Sequence, residues 1–156
     1  MKRKLGLICA AAIAVGTFAG PVFANDSFDG AIKARKALMT LYAFNLGQLG
    51  AMAKGEVEYN ADQAQAAANN LKDLAAVNLG AAWPQGSDST ALPGKTRAKV
   101  EAWSNYPESA KIHGDLVAAS TAMAASAGNG VDGIRKNIGA IGATCTACHK
   151  AFREPQ

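Results

Sequence analysis

Three side chains near the tail of the chain carry the most specific chemistry: Cys145, Cys148 and His149, in the run Cys145-Thr146-Ala147-Cys148-His149. Cys-x-x-Cys-His is the spacing at which two thiols add across the vinyl groups of a c-type haem while the neighbouring imidazole becomes the proximal ligand of its iron. On a helix the three stand at i, i+3 and i+4, hence on one face. Three other chemistries compete for the same residues. A redox-active dithiol normally opens a helix, where the positive end of the dipole favours thiolate; this pair closes one. A zinc site would have to recruit the distant His113, and consecutive Cys-His ligation suits tetrahedral geometry poorly. A structural disulfide at i, i+3 would close almost no loop and so constrain the unfolded chain little. Haem c is the reading that the motif and its context favour.

Such a group must be held by helices, and four are legible. From Phe28 to Lys54 the positions Ile32, Arg35, Met39, Tyr42, Leu46, Leu49 and Ala53 step by three and four, the stripe of a bundle helix. Asp26 or Ser27 is expected to cap its start and Gly55 to end it. Arg35 is out of character on that stripe. A guanidinium facing inward needs an anion, for which a haem propionate is the natural partner; the plain alternative is that it lies near the helix start and reaches water. Asn60-Ala61-Asp62-Gln63 opens a second helix with Ala64, Ala67, Ala68, Leu71, Leu74 and Ala75 inward. A long loop follows from Gly80 to Gly94, with a short helical piece expected over Lys95 to Trp103. Pro107 suits the start of a third helix running to about Ala127, with Ile112, Leu116, Ala119 and Met123 inward and His113 beside that stripe. Asp132 is expected to cap the last helix, whose stripe is Ile134, Ile138, Ile141, Cys145, Cys148 and Phe152. No strand pattern or repeat appears. The fold class is therefore all-α, an antiparallel up-down-up-down four-helix bundle with haem c between the helices.

The first residues read as an export signal. Lys2, Arg3 and Lys4 precede an apolar run from Leu5 to Ala19 that is short for a bilayer span, and Val22-Phe23-Ala24 supplies a cleavage site. The expected division is residues 1–24 as a cleaved leader and 25–156 as one bundle domain, located in the periplasm and without a membrane span. Removing the leader takes three of the sixteen basic residues and no acidic one, so thirteen bases face twelve acids and the balance falls from +4 to +1. A near-neutral surface lacks the basic stripe that nucleic-acid binding requires. Cys9 leaves with the leader, so every remaining cysteine belongs to the motif.

These features resemble the class II c-type cytochromes, and the cytochrome c′ family in particular. The resemblance rests on Ala34-Arg35-Lys36, Leu49 to Glu56, Trp83-Pro84 with Gly86-Ser87, Pro93-Gly94-Lys95-Thr96 leading to Trp103, and Gly142 to His149 with Phe152-Arg153. It implies thioether attachment at Cys145 and Cys148, His149 as axial iron ligand, and Arg35 against a propionate. Lys36 stands where relatives often carry glutamine or glutamate. Thr96 and Arg97 fall where the loop passes the haem edge, and Arg153 matches an arginine bordering the proximal face. Met39 falls at the position covering the distal face.

The implied function is electron transfer by a five-coordinate, high-spin haem whose open side admits nitric oxide or carbon monoxide. The alternative is a six-coordinate carrier with Met39 as second axial ligand. An enzyme is not expected, because the distal stripe holds Met39 and Tyr42 and no acid–base pair. Partners would be redox proteins and a second copy of the chain. The homodimer is suggested by Ala37, Leu41 and Phe44, an apolar set on the back of the first helix.

Overall fold

The computed structural model describes residues 28–155, so the expected leader and the caps Asp26 and Ser27 lie outside the described residues. Four long helices form the body: α1 (Asp29–Lys54), α2 (Ala61–Ala76), α4 (Tyr106–Ala124) and α5 (Val131–Phe152), with a single turn, α3 (Glu101–Ser104), before α4. They pack in a ring, α1 on α2, α2 on α4, α4 on α5 and α5 back on α1, which is the antiparallel up-down-up-down arrangement. No helix among the described residues is long and apolar enough to cross a membrane.

Local chemistry sets the ends. Gly55 takes a left-handed conformation at φ 76°, and the N–H groups of Gly55 and Glu56 donate to the carbonyls of Met52 and Ala51, closing α1. Asn60 Oδ1 accepts from the Gln63 N–H at 2.9 Å, so α2 opens as expected. Asp132 does not cap α5; it lies inside the first turn and pairs with Arg135 one turn on, while Gly130 occupies the cap. The third long helix stops at Ala124 because a 3₁₀ turn, Ala127–Asn129, takes over the chain reversal. The helical piece expected over Lys95 to Trp103 shrinks to α3, since Arg97 to Lys99 instead pair with Phe152 to Glu154.

The core gathers Leu49, Met52, Ala64, Ala67, Ala68, Leu71, Met123, Ala127, Ile134 and Ile141. The alanines of α2 allow its backbone close to its neighbours. At one end of the bundle the Tyr59 hydroxyl donates to the Ala127 carbonyl and accepts from the Gly130 N–H, both at 2.9 Å, tying the α1–α2 link to the α4–α5 turn. At the opposite end the long loop lies across the foot of α1 and the end of α5. There the Lys99 N–H donates to the Phe152 carbonyl, the Glu154 N–H to the Arg97 carbonyl, and Ala98 bridges Arg153.

Candidate cofactor site

Cys145, Cys148 and His149 occupy the last turns of α5, each half-buried, and both thiols are free. Burial raises the pKa of each thiol above its ordinary value, with Cys145 adding to the effect at Cys148. Burial first, and then the positive charges of Arg153 and Arg97, push His149 down. This favours the neutral imidazole, the form that ligates a metal. His113 lies exposed on α4, and no metal-holding group of three or more His, Cys, Asp or Glu side chains forms among the described residues. Two thiols and an imidazole on one helical face are a donor set for a flat macrocycle rather than for a tetrahedral ion.

α1 supplies the wall opposite. Tyr42 lies close enough to Cys145 to feel its charge, and burial pushes the phenol up to about 12, helped by that charge. One turn earlier Met39 is 42% exposed although it belongs to the inward stripe, whereas Arg35 is only 6% exposed. The stripe drifts as it climbs: Asn45 and Met52 are buried beside it, on the side facing α2. Arg35 does not reach water. Its Nη1 donates to Ser87 Oγ at 3.0 Å and its Nη2 to the Ser87 carbonyl at 2.9 Å. The guanidinium carbon sits 4.7 Å from the Trp83 ring centroid and 5.8 Å from that of Trp103.

The loop residues split between two roles. Lys36 Nζ donates to the Lys95 carbonyl at 2.9 Å, and Lys95 pairs with Asp29, so this lysine straps the loop to α1 from the outside. Thr96 is buried and its Oγ1 accepts from the Ala98 N–H. Arg97 donates through Nε and Nη2 to the Glu154 carbonyl, which anchors it beside His149. The structure therefore brings Arg97 and Arg153 to His149 and Lys36 to the loop, while Arg35 is held by Ser87, Trp83 and Trp103. Those three partners were legible only as residues carrying the family resemblance, since nothing local to position 87 points at position 35.

The family model described as Cytochrome C′ matches residues 30–153. Cytochrome c′ of Allochromatium vinosum is 32% identical over 98% of this chain and 99% of its own length, and a cytochrome c-554 of Cereibacter sphaeroides is 36% identical over 79% and 92%. Among solved structures, a cytochrome c′ with ligand-controlled dimer dissociation superposes with TM-score 0.76 at 32% identity, covering 83% of this chain and 98% of that one. A ferrous variant of Alcaligenes xylosoxidans cytochrome c′ with bound nitric oxide gives 0.72 at 28%, covering 83% and 97%. A carbon monoxide-bound variant from the same organism gives 0.71 at 29%, covering 82% and 97%.

Proposed function

Because this chain belongs to the cytochrome c′ family, a family of non-enzymatic haem proteins that implies covalent haem c, we propose that it is an exported one-haem protein that transfers electrons and binds small neutral gases. The observation that carries this reading is the donor set of α5: two free thiols and an imidazole at i, i+3 and i+4, with Cys145 near Tyr42 of α1. When bound, the haem iron supplies one-electron redox chemistry and a coordination site for nitric oxide or carbon monoxide. Cys145 and Cys148 tether it through thioethers. His149 would ligate its iron, with the neutral imidazole favoured by burial and by Arg153 and Arg97. Met39 covers the distal side without ligating. Its unbranched thioether can change rotamer to yield to a small ligand. Relatives with bound nitric oxide and carbon monoxide support the gas-binding part. The charged residues 2–4 and the apolar run behind them support export to the periplasm.

Addition of carbon monoxide to the reduced protein tests the open distal site. A rapid Soret shift is expected, and its absence overturns five-coordination. The second reading, Met39 as sixth ligand, is favoured by the same observation that a sulfur ligand stands one turn beyond Arg35 on the haem-facing stripe. Under it, Met39→Ala converts a low-spin resting spectrum to high spin. Under the first reading, the spectrum stays high-spin.

A dimer fits the same family. Leu41 and Phe44 are 47% and 65% exposed on α1 beside Ala37, a face too apolar for a solvated helix back. A relative with ligand-controlled dimer dissociation supports pairing of this chain with a second copy.

A further inference from the structure

Arg35 poses a physical problem that its surroundings answer. A guanidinium remains charged in a protein interior, and none of the ion pairs among the described residues includes Arg35. Its contacts are instead neutral: a hydroxyl, a carbonyl and two indole faces. These contacts are themselves braced. The Ser87 hydroxyl donates its proton to the Pro84 carbonyl at 2.7 Å, so its lone pairs are left to accept from the guanidinium. Trp103 Nε1 donates to the Trp83 carbonyl at 2.8 Å, and the two rings meet edge to face at 5.7 Å. Ser87 and its hydroxyl are fully buried, and the loop that carries them is pinned by Asp88, whose Oδ1 accepts from the Thr90 and Ala91 N–H groups.

Such a clamp orients a cation without neutralising it. Toward the described residues Ser87 uses two of the five guanidinium donors, leaving the other three for an anion. A planar fork held at fixed angle suits a carboxylate. We propose that Ser87 and Trp83 are positioning residues that aim the intact charge of Arg35 at a haem carboxylate and thereby raise the reduction potential of the iron. This rests on the haem reading above and goes beyond it by assigning work to two residues of the loop. The cause is electrostatic. A cation fixed in a poorly screened site favours the more reduced, less positive iron, whereas one released into water is screened and loses that influence.

The test uses the haem-loaded protein and four forms: parent, Ser87→Ala, Trp83→Leu and Trp83→Phe. Ser87→Ala removes one acceptor and keeps the carbonyl; Trp83→Leu removes the ring face that Trp83→Phe retains. Ser87→Ala and Trp83→Leu are expected to lower the midpoint potential, by up to about tenfold in the reduction equilibrium or about 59 mV for one electron. Trp83→Phe should stay close to the parent. The second readout is the side-chain Nη–H resonances of Arg35 by nitrogen NMR, sharp and protected in the parent and broadened by exchange in the first two variants. Haem-loaded Ser87→Ala protein with parental potential and a parental resonance would overturn the proposal, and this variant decides it should Trp83→Leu fail to fold. A parent protein without covalent haem overturns the haem reading and the carboxylate partner with it, while the Arg35 resonance still reports on the clamp.

Discussion

At the scale of single residues, the site is governed by what burial does to charge and protonation. Tyr42 illustrates it. Its proton is held up to about 12 against an ordinary value of 10.0, first by desolvation and second by the charge on Cys145, which a thioether would remove. A raised pKa means that the folded chain holds a proton the unfolded chain loses, so the contribution to stability is complete below about pH 10 and is lost as pH rises through the folded value. Tyr42→Phe should therefore flatten the alkaline fall of unfolding free energy between about pH 10 and 12, read by urea titration at several pH values. The motif residues were legible because their spacing is itself the chemistry. Arg35 was legible as an inward charge, since a guanidinium stands out on an apolar stripe. Its actual partner Ser87 was not, being 52 positions away in a loop with no period.

At the scale of elements, helix ends and close approaches set where the site residues stand. Asn60 caps α2 through a 2.9 Å bond, and Asn60→Ala should cost about 1 kcal/mol, measured by denaturant midpoint at unchanged slope. Gly133 sits where a Cβ would lie 2.2 Å from the Ser126 carbonyl oxygen. Gly133→Ala must push α5 away from the turn before it, at about 1–3 kcal/mol, and the haem spectrum should shift with it because Cys145 to His149 ride on the same helix. Periodicity revealed α1, α2, α4 and α5 because a helical stripe is a local pattern. It placed Met39 inward but did not reveal its 42% exposure. The cap at Asp132 failed for a related reason. Gly130, at φ 120°, already turns the chain into α5, so the carboxylate is one turn-position too late and pairs with Arg135 instead.

At the scale of the molecule, one surface and one processing event follow. Phe44→Lys should convert a dimer to monomer with little loss of folding stability, since this side chain contributes nothing to the core; sedimentation velocity at micromolar concentration reads it, and a parent that sediments only as monomer refutes the paired state. Export should shorten the chain by residues 1–24 and add the mass of one haem, both visible in a single intact-mass spectrum of the secreted protein.

The linear order of residues determined the haem-binding spacing, the four amphipathic stripes and the bundle class, because each is written within a few turns of chain. Only the folded structure decided that Ser87 and the tryptophans grip Arg35, that Arg97 is anchored on the Glu154 carbonyl beside His149, and that Lys36 straps the loop from outside. Those contacts join segments about fifty or more positions apart. They arise from the ring of helices bringing the loop, the foot of α1 and the end of α5 to one end of the bundle.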